Sequence, residues 1–144
     1  MIVVYPLVEV YGINFDGTGN VKIQILSDED GEVDEGTKHT WYKAASVFCF
    51  PSFMEGFGFP VAEAMSHGTP VVTSSTTATA EVAGDSALLI DPKSADAIAE
   101  AITEILHKSE LSEELSEKGL ERAKKMTWED TALATADIYR EVVY

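Results

Sequence analysis

Two carboxylates, Glu55 and Glu63, stand eight positions apart, with Gly56, Gly58 and Pro60 between them. An ionised carboxylate only accepts hydrogen bonds, so it suits the O–H groups of a sugar or a ribose. The intervening Gly-Phe-Gly-Phe-Pro follows an apolar run and leads into a segment with helical character, giving the order strand, glycine loop, helix. A helix N-terminus presents unpaired N–H groups at the positive end of its dipole, which favours phosphates. Glycines let a ligand approach the main chain where side chains would forbid it. One loop thus carries groups for hydroxyls at both ends and for a diphosphate between them. Two glycines before a helix are common in structural loops; the carboxylate pair is the added information.

The remaining reactive side chains are less telling. His67 precedes Gly68 and reads as a helix C-terminal residue, while His39 and His107 have no partner in the sequence and receive no role. Phe57 can either pack beneath the sheet or line a pocket. Cys49, the only cysteine, lies in Val-Phe-Cys-Phe and reads as a buried small hydrophobe.

The elements that hold the loop follow from pattern. The apolar run 47–50 is a strand, and 60–67 is a helix with proline in its first turn and Gly68 at its C-terminal end. Strands at 70–73 and 87–90 flank a helical turn at 79–83, and a short helix is expected at 39–45. Strands alternating with helices predict a parallel α/β sheet. Ile98, Ile102, Ile105 and Leu106 form an apolar helical stripe behind an N-cap at Ser94. Leu111, Leu115 and Leu120 mark a second helix. Thr127-Trp-Glu-Asp130 opens a third as a capping box, with Trp128, Ala132, Ala136, Tyr139 and Val143 on one side.

Residues 1–38 read differently. Two β-rich runs, 2–15 and 21–26, flank the turn-forming residues 16–20 and are expected to pair as an antiparallel hairpin. Residues 28–36 contain six acids and no base and read as a solvated loop out of register for an EF-hand. The expected division is a divergent β-rich segment at 1–38 and a ligand-binding domain at 39–144.

Composition limits the partners. The 144 residues, 45% hydrophobic and 24% charged, suffice for one core without disulfides or a metal. A formal net charge of -15 disfavours nucleic acid and anionic membranes and means that local donors must hold any anionic ligand. No run approaches transmembrane length, and a single cysteine fits a reducing cytoplasm.

Residues 55–72, Glu-Gly-Phe-Gly-Phe-Pro-Val-Ala-Glu-Ala-Met-Ser-His-Gly-Thr-Pro-Val-Val, resemble the E-x7-E signature of retaining GT-B glycosyltransferases, closest to glycosyltransferase family 4. Glu81-Val-Ala-Gly-Asp-Ser-Ala-Leu-Leu-Ile-Asp-Pro92 and the Thr127-Trp128 helix start extend the resemblance over roughly 39–144. It implies a Rossmann-like half of a GT-B fold that binds a nucleotide diphosphate sugar and transfers a hexose with retention, with no metal or other cofactor. Glu55 would meet the hydroxyls of the reacting sugar as the catalytic position. Gly56, Phe57 and Gly58 would offer backbone donors, Phe59 would face the diphosphate, and Glu63 would take the ribose.

The resemblance does not extend to residues 1–38, where the Gly-Arg and Lys of the family, which neutralise the diphosphate, are not visible. An acceptor-binding domain is likewise not visible, so transfer is expected to need a separate domain or chain. Two other readings stay open on the residues: a non-catalytic scaffold of the same fold, and an unrelated phosphate-binding α/β domain.

Overall fold

The computed structural model describes residues 2–4, 23–25 and 35–143. Its elements are β1 (Ile2–Val4), β2 (Ile23–Ile25), α1 (Glu35–Ala44), β3 (Val47–Phe50), α2 (Phe59–Ser66), β4 (Val71–Ser74), α3 (Ala78–Ala83), β5 (Ala87–Ile90), α4 (Ala95–His107), α5 (Ser109–Ala123) and α6 (Trp128–Val143). The described strands form one parallel sheet in the order β2-β1-β3-β4-β5.

From β3 onward each strand is followed by a helix, as the alternating pattern predicts. β3 is apolar at every position because both faces of the sheet are covered. Phe48 and Phe50 point to one side and pack with Tyr42, Val61, Met65 and Val82. Val47 and Cys49 point to the other, against Ile98, Ile102 and Ile105 of α4 and Leu115 of α5. The period of two in the strand thus meets the α2 layer on one face and the stripe of α4 on the other.

The helix ends follow their local chemistry. Ser94 accepts from the Ala97 N–H at 3.1 Å, capping α4. At the other end of α2, the Gly68 N–H donates to the Met65 carbonyl and the Thr69 N–H to that of Ala64, a Schellman closure with Gly68 at φ 72°. Arg122 of α5 donates to the carbonyls of Glu81 and Val82, closing the last turn of α3.

One expectation is corrected. β1 and β2 run parallel, so the antiparallel hairpin does not form. The runs 2–15 and 21–26 left no room for a crossover, whereas the described strands stop at Val4 and resume at Ile23. The interval 5–22 is long enough for one. The turn at 16–20 and the acidic stretch 28–34 lie outside the described residues, but Glu35 and Gly36 belong to α1. α6 opens with its capping box as expected, with the Asp130 N–H donating to Thr127 Oγ1 at 3.0 Å. Its stripe is not core: Trp128 is 78% exposed, and Tyr139 is exposed as well. The side chain of Val143 lies outside the described residues.

Candidate functional site

In this strand order the connections leave β1 toward one edge of the sheet and β3 toward the other, which puts the topological switch point between β1 and β3. Open α/β sheets bind ligands outside the carboxyl ends of strands at such a point. The loop carrying Glu55 leaves β3 there.

That loop is tied to the next strand. Thr73 Oγ1 donates to the Phe50 carbonyl at 2.9 Å, and the Ser74 hydroxyl donates to the Ser52 carbonyl. Ser52, itself buried, directs its hydroxyl to Glu55 Oε1 at 3.0 Å and to the Met54 carbonyl at 3.2 Å. Glu55 is half-buried and held by a side chain that is anchored in turn.

Gly58 is the N-cap of α2, at φ 98°, and no side chain caps this end. A Cβ at Gly58 would stand 2.7 Å from Thr79 Cγ2, so the left-handed backbone and the close approach of α3 both require glycine. Gly56 differs: it is not among the glycines at positive φ, and a Cβ there would meet nothing within 4 Å. Gly58 thus has a backbone conformation special to glycine, whereas Gly56 faces open space. Proline at the helix start removes one donor of the first turn, and Val61 gives its N–H to the Gly58 carbonyl at 3.0 Å.

Glu63 lies one turn inside α2, and α1 holds both of its oxygens. Lys38 Nζ reaches Oε1 at 3.1 Å and Tyr42 Oη donates to Oε2 at 3.1 Å. Beside them His39 Nδ1 and His67 Nε2 are 2.8 Å apart, and His67 Nδ1 is 2.7 Å from the Glu63 carbonyl. A carbonyl only accepts, so His67 Nδ1 donates to it, and in the neutral pair His39 donates to His67. Sequence reasoning gave His39 no partner and did not connect Lys38 or Tyr42 with Glu63. The only available signal was helical: residues 38, 39 and 42 share one face of α1.

The aromatic residues of the loop face outward. Phe57 and Phe59 lie with ring centroids 4.9 Å apart, and Phe59 is 6.2 Å from Trp128. These three rings, with Met126, Glu63 and Asp130, line an open groove of about 710 Å³ between α2 and the start of α6. Phe57 therefore lines a cavity and does not pack beneath the sheet. Glu63, Phe57 and Phe59 are brought together there, while Glu55 stands outside the lining, on the β3 side of the loop. Among the described residues no group of three or more His, Cys, Asp or Glu side chains could hold a metal ion. Cys49 is buried in β3, and burial pushes its thiol up to about 12. It is a packing residue, as its apolar neighbours predicted.

Comparison with known proteins gives the family of the chain. The family profile of glycosyl transferases group 1 matches residues 30–122, which includes the whole segment from Glu55 to Glu63. This chain belongs to that family. It is similar to the O-antigen chain mannosyltransferase B of Escherichia coli, 38% identical over 123 residues, which cover 75% of this chain and 32% of that protein. It is also 37% identical over 102 residues to the D-inositol 3-phosphate glycosyltransferase of Kribbella flavida, covering 69% of this chain and 24% of that one. The chain thus spans a third or less of the length of these curated relatives.

Solved structures agree on the fold. Sucrose-phosphate synthase from Thermosynechococcus elongatus superposes with a TM-score of 0.70 at 31% identity, over 84% of this chain and 30% of that one. The C-terminal domain of a glycosyl transferase group 1 family protein from Francisella tularensis gives 0.62 at 25% identity, over 72% and 53% of the two chains. The Rossmann-like parallel sheet with flanking helices and a helical C-terminus is the GT-B architecture of these neighbours. No helix among the described residues is long and apolar enough to cross a membrane.

Proposed function

We propose that this chain is the donor-binding domain of a retaining glycosyltransferase of family 4 type, which takes a hexose from a nucleotide diphosphate sugar. The observation that carries the reading is the start of α2, left without a side-chain cap at Gly58 and flanked by the carboxylates of Glu55 and Glu63. Glu55 accepts from hydroxyls of the reacting sugar, steadied by Ser52. The backbone of Gly56, Phe57, Gly58 and Phe59 offers N–H groups to the sugar and diphosphate, and Glu63 accepts from the ribose.

In this reading no protein base drives the step. The bond from the anomeric carbon to the diphosphate oxygen breaks, the acceptor oxygen bonds to that carbon on the same face, and the acceptor proton passes to the departing diphosphate. The site contributes by positioning and by N–H groups aimed at the developing charge. With a net charge of -15, these local donors act against the field of the chain, so donor affinity is weak. Transfer draws on an acceptor-binding domain or chain, in the cytoplasm, and needs no metal. The mannosyltransferase relative makes a mannose donor the first hexose to test.

Calorimetry with UDP, GDP and ADP tests the reading. It expects one of the three to bind at micromolar to millimolar concentration, and Glu63→Ala to abolish that heat. A wild-type chain silent toward all three at millimolar ligand would refute it.

A further inference from the structure

We infer that Tyr42 and Lys38 of α1 are positioning residues for Glu63, and that α1 thereby sets how well the site distinguishes a ribose from a deoxyribose. The inference rests on the donor-binding reading of Glu63.

Its basis is the way the two oxygens of Glu63 are shared. A carboxylate offers about four lone-pair positions. Lys38 takes one on Oε1 and Tyr42 one on Oε2, each at 3.1 Å. One acceptor position therefore remains on each oxygen of a side chain that lines the open groove. Two adjacent acceptors of this kind match the two O–H donors of a vicinal diol. Had both contacts fallen on one oxygen, the carboxylate could turn about its own axis and the pair would lose its fixed direction.

Tyr42 is built to give direction. It is 1% exposed, its ring meets Phe48 edge-on with centroids 5.2 Å apart, and its carbonyl accepts from Thr69 Oγ1 at 2.7 Å. Phenylalanine would fill the same core volume, so the packing does not call for a hydroxyl, yet the hydroxyl sits on Glu63. Lys38 lies one helical turn earlier on the same face of α1. It sets a cation against the carboxylate, in a chain whose net charge opposes anionic ligands.

The test is calorimetry on the full chain with whichever of UDP, GDP and ADP the wild type binds, beside the 2′-deoxy form of the same nucleotide. The wild type is expected to prefer the ribose form by roughly tenfold, the size of one charge-assisted hydrogen bond. Tyr42→Phe should cut that preference to about threefold or less and leave the deoxy affinity nearly unchanged, since a hydroxyl partner that positions Glu63 matters only to a ligand that uses it. Lys38→Met, at a partly exposed position, should act in the same direction without altering the thermal midpoint, and Lys38→Arg should restore the preference. If both variants keep the wild-type ratio, either by binding normally or by losing both ligands equally, the inference is wrong. A wild type that binds nucleotide without preferring ribose overturns it too, while leaving the donor-binding reading intact. A wild type that binds neither form removes that reading and the inference with it.

Discussion

At the scale of single residues, the positions of the loop from Glu55 to Glu63 have different structural tasks. Gly58 is required by shape: its φ of 98° and the Thr79 methyl beside it exclude any Cβ. Gly58→Ala is expected to destabilise the fold by at least about 1–2 kcal/mol from the left-handed backbone alone. Urea denaturation should show a lower midpoint with an unchanged slope, and an unaltered midpoint would speak against the geometry. Cys49 gives a pH-dependent prediction. Burial raises its thiol above the ordinary value of 9.0, to about 12. The folded state therefore favours the protonated form, and the resulting stability is complete below about pH 9 and lost as pH rises toward 12. Comparing wild type with Cys49→Ala by denaturation across pH 8 to 11 should show the steeper alkaline loss in the wild type. A thiol reagent at pH 7.5 should react only on unfolding. The placement of Glu55 in a loop, Gly58 just before a helix and Cys49 in a buried strand was legible because each is a local matter. The partners of Glu63 and His67 were not, since Lys38, His39 and Tyr42 reach them from another helix, 21 to 28 positions away.

Among the elements, α2 read well from sequence because Pro60 and Gly68 mark its ends, and α4 because it has a cap at Ser94 and a single apolar stripe. α6 shows where that reading stops. Its start follows from Thr127, yet a stripe tells only that a helix has an apolar side and not whether anything covers it. Within this chain Leu133, Ile138, Tyr139 and Val142 are exposed, whereas Ile98, Ile102 and Ile105 of α4 are buried. Burial of each such side chain contributes about 1.5–3 kcal/mol, so the two helices should differ in local stability. Hydrogen exchange is expected to show the amides of α4 protected near the global limit and those of α6 exchanging orders of magnitude faster. Equal protection would mean that α6 is held by contacts the fold does not display. The pairing of β1 and β2 failed for a different reason: two long β-rich runs joined by turn residues imply a hairpin, whereas the described strands pair in parallel, an arrangement that needs a crossover.

For the whole molecule, the sheet order and the charge set the surroundings of the candidate site. The strand order puts the β3 loop at the switch point, and two covered faces make the sheet a rigid mount for it. Against the net charge of -15, the uncapped start of α2 is a local feature that favours an anion. The central claim is that a nucleotide diphosphate binds at this helix start, between Glu55 and Glu63. Amide chemical-shift mapping of the labelled chain during titration with UDP, GDP or ADP tests it most directly. The account predicts that the largest shifts fall on Gly56, Phe57, Gly58 and Phe59, with smaller ones on α1 around Tyr42. Shifts confined to other parts of the sheet, or none at millimolar nucleotide, would contradict it.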